Sequence, residues 1–233
     1  LHVRSRRQRQ MCIRDRLSAG RLSIGDHLPS ERALAETLKV SRGSIREALR
    51  VLEALGSIRS STGSGPRAGT VITAAPEQAL SLALNLQLAT SQVEHPHVFE
   101  MRLLLEDWAV RNVGPENADP QHPVWMKAEK LLDMMDDPAL PVADFLNLDA
   151  QFHVALSHAA NNPLASTLMD AMRTAIEDHT VERAQALPDW EATSKRLRSE
   201  HRAILDAARN GRADTAADLL KEPIRGYYAE TSA

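Results

Sequence analysis

The sequence predicts a mainly α-helical protein, with a small N-terminal winged helix-turn-helix unit and a larger antiparallel bundle of about seven helices. Only 3% of the 233 residues are aromatic, whereas alanine and leucine abound, and this composition favours helices over sheets. Apolar residues recur at helical spacing through most of the chain. Strand-like segments are confined to a short stretch after Gly56, so the sheet is expected to be small.

Two short helices joined by a tight turn are predicted near the N-terminus. Gly25-Asp26 is a turn signal, and residues 31–38 place apolar side chains on one face of a first helix. Ser41 is a good N-cap for a second helix, whose apolar repeat ends at Gly56. This arrangement is typical of a helix-turn-helix.

A β-hairpin and then a long helical region follow. Residues 57–59 and 69–72 have strand character and flank a loop rich in serine and glycine, which predicts a wing. Beyond Pro76, helical periodicity is interrupted only by short breaks containing Gly, Pro or Asn. The predicted helices cover residues 76–92, 95–113, 121–136, 141–160, 162–186, 188–210 and 212–230.

Charge is distributed unevenly along the chain. Residues 1–72 contain 14 Lys and Arg against 6 Asp and Glu, whereas residues 73–233 contain 14 against 25. Without the arginine-rich start, residues 17–72 still carry 8 basic and 5 acidic groups. The N-terminal part is therefore expected to meet an anionic partner.

Cysteine usage and hydropathy limit the environment of the protein. Cys12 is the single cysteine, so no internal disulfide can form. No apolar run approaches the roughly 20 residues of a membrane span. We expect a cytoplasmic protein with no membrane partner.

The segment GDHLPSER at 25–32, followed by VSRGSIREAL at 40–49 and LEALG at 52–56, closely resembles the winged helix of the GntR family of bacterial repressors. The resemblance implies binding to a double-stranded DNA operator. The N-terminus of the second helix favours phosphate through its dipole and free N–H groups, and its side chains can reach base edges. The candidate DNA-binding residues are Ser30, Arg32, Ser41, Arg42, Gly43, Ser44, Arg46 and Gly63.

These residues have different expected roles. Arg42 is the candidate for a bidentate contact with guanine, while Ser30 and Ser41 are candidates for phosphate contacts. Gly43 would let the backbone approach DNA closely. Arg67 in the wing could add a contact. The alternative is that the arginines are simply a solvated face.

The start of the chain departs from the family pattern. The family has a helix before the Gly25-Asp26 turn, but residues 4–16 supply few apolar side chains for one. We interpret residues 1–16 as a basic arm that strengthens DNA binding or as non-native sequence. The expected domains are a DNA-binding domain at 17–74 and an all-helical domain at 76–230.

The helical part resembles the FCD ligand-binding domain of the FadR branch of the same family, through residues 100–106, 149–153, 161–164 and 200–205. Many such domains bind one divalent metal through an Asp, a His four residues later and two further His. Asp149, His153 and His201 fall on three of these positions, which implies a zinc- or nickel-class ion. Independently, residues i and i+4 share a helix face, so Asp149 and His153 are expected to point inward along an apolar arc.

The fourth metal-ligand position of the family is Pro223 here. Proline offers no ligand and is expected to break the helix, so the metal site is either three-coordinate from protein or a polar pocket without metal. His179 is a candidate substitute. Arg102 is the candidate anchor for a carboxylate effector, because guanidinium pairs with two oxygens; the alternative is an ion pair with Glu106.

The leading hypothesis is a homodimeric, ligand-responsive transcriptional regulator, a repressor rather than an enzyme, whose operator affinity changes when it binds a small organic or sugar acid. One alternative is a metal-dependent hydrolase that uses Asp149, His153 and His201 around an activated water. The other is an architectural DNA-binding protein without an effector.

Overall fold

The computed structural model describes residues 23–61, 69–73 and 76–232. Contacts within the chain form two compact units, of which one ends at Leu80 and the other comprises Ser81–Ala233. Several predictions lie outside the described residues: those for residues 1–16, for the helix preceding the first turn, and for Gly63 and Arg67.

The described residues that precede the second unit include two complete helices and a two-stranded antiparallel sheet, as predicted. Its strands pair in a register that runs from Ile58 opposite Ile72 to Ser61 opposite Gly69. The elements are α1 (Glu31–Leu38), α2 (Arg42–Ala54), β1 (Ile58–Ser61) and β2 (Gly69–Ile72).

Both helices begin at serine caps. The Ser30 hydroxyl accepts a hydrogen bond from Ala33 N at 3.3 Å, and the Ser41 hydroxyl accepts one from Ser44 N at 3.1 Å. These bonds satisfy backbone donors that a helix N-terminus leaves unpaired. Lys39 adopts a left-handed conformation with φ of 54°, which ends α1 and turns the chain into α2.

A small apolar core holds this unit together. The chain before α1 also joins the sheet, because Leu28 N donates to Thr70 O at 2.7 Å and Ile72 N donates to Asp26 O at 2.9 Å. α2 packs against this core through its buried apolar face, and its opposite face is exposed to solvent. The core residues are Leu28, Leu34, Ala35, Ile45, Leu49, Leu52, Ile58 and Ile72.

The prediction of seven helices after the hairpin is confirmed for the part of the chain that the structure describes. The division between the two units falls within the first of these helices. The helices are α3 (Pro76–Ala89), α4 (His95–Arg111), α5 (Pro123–Met135), α6 (Val142–Ser157), α7 (Pro163–Ala184), α8 (Trp190–Arg209) and α9 (Ala213–Ser232).

The ends of the predicted helices agree with the structure to within a few residues: α6 ends at Ser157, and a 3-10 turn covers His158–Ala160 at the end of the predicted range. One detail was wrong. The backbone of α9 continues through Pro223, so this proline does not break the helix. A proline removes one backbone donor, and a 20-residue helix that buries Ala216, Ala217 and Leu220 keeps enough other bonds and packing to tolerate the loss.

The core of the second unit surrounds α6, which packs against α4, α5 and α7. Most side chains of α6 are buried, including Phe145 and Phe152. A helix covered on several sides carries polar side chains into the interior whenever they occupy its inner faces. Among the helices described, none has the length and apolar character needed to cross a membrane.

Candidate functional site

The N-terminus of α2 is an exposed, basic surface. Arg42 and Gly43 directly follow the Ser41 cap and face solvent, and Ser41 also donates to the Ser44 hydroxyl at 2.9 Å. Within the described part of the chain, Arg42 has no ion pair, so its guanidinium is available to an external acceptor. A Cβ added at Gly43 would meet only the Ser41 hydroxyl, at 3.9 Å, so the backbone there is open to close approach.

The other two candidate arginines have acidic partners in α1. Arg46 Nε donates to Glu31 Oε1 at 3.2 Å and Arg46 Nη2 to Glu31 Oε2 at 2.9 Å, which is a bidentate pair between the helices. The hydrogen bond from Arg46 lowers the pKa of Glu31. Arg32 lies 3.9 Å from Glu36 Oε1 with both side chains largely exposed. The sequence did not reveal Glu31 as the partner of Arg46, because the two residues lie 15 positions apart.

Asp149, His153 and His201 come together in the second unit. Asp149 Oδ1 lies 2.8 Å from His201 Nε2 and 4.0 Å from His153 Nε2, and the two Nε2 atoms are 3.0 Å apart. α6 supplies the first two side chains and α8 the third. Both histidines are almost completely buried. The fold therefore brings together the three residues that the family resemblance implied as metal ligands.

The partners of the other ring nitrogens determine what this cluster can bind. His153 Nδ1 is 2.5 Å from Glu106 Oε2, and His201 Nδ1 faces the Leu197 carbonyl. An ionised carboxylate and a carbonyl only accept hydrogen bonds, so both Nδ1 atoms carry the hydrogen. A ring with no second hydrogen then presents a lone pair on Nε2 toward Asp149.

When both rings lack a hydrogen on Nε2, three acceptors face one another, and a proton or a metal ion between them relieves the repulsion of their lone pairs. A proton on His201 Nε2 satisfies the 2.8 Å contact with Asp149, and a metal ion would satisfy all three groups. Two atoms bound to one zinc ion at roughly 2.0–2.2 Å each can be no more than about 4.4 Å apart. The separations of 2.8, 3.0 and 4.0 Å lie within that limit, so the three groups could share one divalent ion.

Burial and charge act against each other on the pKa values of this cluster. Burial raises the pKa of Asp149, but the charge and hydrogen bond of His201 outweigh it and leave the pKa below its ordinary value. Burial lowers the pKa of His201, and the Asp149 carboxylate more than reverses this effect. For His153, burial and the nearby Arg102 charge both lower the pKa. The metal-free site is therefore an Asp149–His201 ion pair beside a neutral His153.

Arg102 lies at the edge of the same cluster and is buried. Its Nε donates to Glu106 Oε1 at 2.7 Å, and its Nη2 lies 3.9 Å from Asp149 Oδ2. The ion pair with Glu106, one of the two interpretations of Arg102 from the sequence, is present. The Nη groups point to no other described acceptor at hydrogen-bond distance. The side chains of His179 and Pro223 lie outside the described residues.

Glu106 is the functional residue that sequence analysis missed as part of the site. Its side chain is fully buried and touches both Arg102 and His153. The only signal in the sequence is its position four residues after Arg102, which indicates an ion pair but not a link to His153.

An exposed basic helix on a winged helix-turn-helix, followed in the chain by a helical bundle with a buried polar site, defines a ligand-responsive DNA-binding transcriptional regulator. The family models agree with this class. Residues 11–67 match the family described as "Bacterial regulatory proteins, gntR family", and residues 97–226 match the FCD domain. The chain belongs to the GntR family of regulators and contains an FCD domain.

Curated relatives carry regulator names. The chain is 29% identical over 216 residues to the HTH-type transcriptional repressor NanR of Cronobacter sakazakii, covering 88% of this chain and 76% of that protein. It is 29% identical over 222 residues to the HTH-type transcriptional regulator LutR of Bacillus subtilis, covering 91% and 97%. These names are those of regulators and not of enzymes, and they give no support to the hydrolase alternative.

The fold also has a solved counterpart. The Streptococcus agalactiae GntR structure aligns with a TM-score of 0.68 at 24% sequence identity and covers 98% of this chain and all of that one. At this identity the likeness concerns the fold alone. It confirms the predicted class of a winged helix-turn-helix with a helical domain.

Proposed function

We propose that this protein is a homodimeric repressor that binds a pseudo-palindromic operator and releases it when a small organic or sugar acid enters the helical domain. The observation that carries the proposal is the buried cluster of Arg102, Asp149, His153 and His201 in a chain whose other unit exposes a DNA-reading helix. Bacterial operators lie in the cytoplasm, where we place the protein.

The DNA-reading part of the proposal assigns residues 17–74 to the DNA-binding domain and 76–230 to the effector domain. Arg42 reads a guanine edge, because it is exposed at the start of α2 and has no ion pair with the residues that the structure describes. Arg46 presents the edge of its guanidinium that Glu31 leaves free. The supporting contacts to phosphate come from Arg32, Ser30, Ser41 and Ser44, with Gly43 allowing close approach and Gly63 in the wing.

The sensing part assigns Asp149, His153 and His201 to a divalent metal of the zinc or nickel class. The geometry supports this because the three ligand atoms face one another once both Nδ1 hydrogens are placed, and a metal ion would replace the proton between His201 and Asp149. A bound cation supplies positive charge that attracts an anionic ligand. Arg102 then pairs with the effector carboxylate through its Nη groups, while Glu106 holds its Nε.

Effector control can be tested by operator titration. We expect acids that bind the metal-loaded protein to weaken operator binding by a factor of roughly 5–150, the usual range of allosteric coupling. Arg102→Gln is expected to abolish this response. Arg209→Gln, which removes a surface arginine paired with Glu129, is the matched control and should respond normally. An operator affinity that no bound acid changes would refute the switching mechanism.

An exposed apolar stripe on α4 supports the homodimer. Met101, Leu104 and Trp108 lie on one helix face and are 46%, 61% and 38% exposed, while the opposite face packs into the core through Phe99 and Val110. Apolar residues clustered on one exposed face are typical of interfaces. A C2 dimer would bury the same stripe from both copies.

Leu104→Glu is expected to convert the dimer to monomers, because a carboxylate at the centre of an apolar interface loses its hydration on association. Sedimentation velocity measures the change. Leu164→Glu is the control, since Leu164 is 65% exposed at the start of α7 and away from the stripe in sequence. A Leu104→Glu protein that remains dimeric would exclude this face as the interface.

A further inference from the structure

The Glu106 carboxylate is fully buried, and both of its oxygens are engaged. Oε1 accepts from Arg102 Nε at 2.7 Å, and Oε2 lies 2.5 Å from His153 Nδ1. The Arg102 guanidinium supplies the countercharge of this carboxylate, and the His153 ring faces its second oxygen. A buried charge is retained in a core only when it is paired and hydrogen-bonded, as it is here.

We propose that Glu106 is the positioning residue of the buried site: by accepting the His153 Nδ1 hydrogen, it directs the Nε2 lone pair at the ion held by Asp149, His153 and His201. This inference rests on the metal site proposed above. A carboxylate behind a ligating imidazole selects the tautomer, restrains the ring and makes the ligand nitrogen more basic. Glu106 therefore controls metal affinity without contacting the metal.

Glu106 also restrains Arg102, which lies beside one of the ligands. Arg102 Nη2 is 3.9 Å from Asp149 Oδ2, and Glu106 holds the same guanidinium through Nε. Without the Glu106 charge, the guanidinium would be free to move closer to Asp149 and strengthen that ion pair. Loss of Glu106 thus removes the restraint on one ligand and introduces a competitor for another, and both changes weaken metal binding.

Glu106→Gln separates charge and hydrogen bonding from side-chain volume. A glutamine oxygen can accept from Arg102 or from His153 but not from both, and its NH2 group then faces the remaining donor. We expect the dissociation constant for Zn²⁺, measured by competition with a chelator, to rise about ten- to a hundredfold. Glu106→Asp keeps the carboxylate and should recover part of the affinity.

Asn117→Ala is the control for general destabilisation. Asn117 is buried, and its Nδ2 donates to Ala159 O at 3.0 Å outside the cluster. We expect this variant to melt at a lower temperature with unchanged Zn²⁺ affinity. Equal Zn²⁺ affinity of Glu106→Gln and the wild type would overturn the role of Glu106, whereas a wild type that binds no Zn²⁺ would overturn the metal site itself.

The tautomer of His153 gives a readout that does not depend on folding of a variant. Side-chain ¹⁵N NMR of the metal-free wild type is expected to show the hydrogen on Nδ1. A hydrogen on Nε2 of His153 would contradict the proposal whatever the metal affinity of the variants.

Discussion

Replacing Arg42 with alanine is expected to weaken operator binding by roughly tenfold to a hundredfold, the discrimination supplied by one bidentate arginine–guanine contact. The effect is large because Arg42 is exposed at the start of α2, and no ion pair with a described residue competes with DNA for its guanidinium. Binding to unrelated DNA should fall much less, since a phosphate contact is equally available on any sequence. Fluorescence anisotropy with operator and scrambled duplexes at fixed salt measures both.

Arg50→Ala is the matched control for Arg42. Arg50 lies on the same helix two turns farther from its N-terminus and is close to Glu47, with 3.8 Å between charged atoms. We expect its loss to weaken operator and scrambled DNA to a similar, small degree. If Arg42→Ala reduces binding to both duplexes equally, Arg42 contacts the backbone and does not read a base.

The second large effect is expected for Phe152→Ala, at about 3–5 kcal/mol of unfolding free energy. Phe152 is fully buried, and its ring centroid lies 4.9 Å from that of His201 and 5.3 Å from that of His153. Its removal leaves a cavity beneath both imidazoles, so their orientation relaxes. We therefore expect a lower free energy of unfolding in urea and a Zn²⁺ dissociation constant raised about tenfold.

Phe145→Ala distinguishes these two consequences. Phe145 lies two turns earlier on α6, is 1% exposed and packs edge-on against Trp190 at 5.3 Å, and no ring contact joins it to the histidines. We expect a comparable loss of stability with unchanged Zn²⁺ affinity. Equal loss of affinity in both variants would mean that Phe152 acts through general stability and not by supporting the rings.

The sequence predicted well where the interactions are local. Ser41 caps α2 through a bond to a residue three positions later, and the turn before α2 depends on the conformation of Lys39. Asp149 and His153 share a face because helical periodicity places residues i and i+4 together. The prediction that Pro223 breaks the helix was wrong. It considered the backbone hydrogen bond that proline removes, but not the packing that stabilises the rest of α9.

The sequence could not predict contacts between residues that are far apart in the chain. Glu106 and His153 are 47 residues apart, and their contact depends on how α4 packs against α6. Arg46 and Glu31 pair across two helices in the same way. No local pattern encodes such a pairing, since helix packing, and not chain spacing, decides which polar side chains meet.

By itself, the sequence determined the order of the elements, the helix Arg42–Ala54 with its Ser41 cap, and the shared helix face of Asp149 and His153, all of which follow from caps, turns and periodicity within one or two helical turns. The family resemblance pointed to His201, but only the tertiary structure decided that His201 meets Asp149 and that Glu106 joins the site. α4 packs against α6, and His201 on α8 reaches the α6 side chains, so these polar groups are buried together and burial makes their mutual hydrogen bonds obligatory.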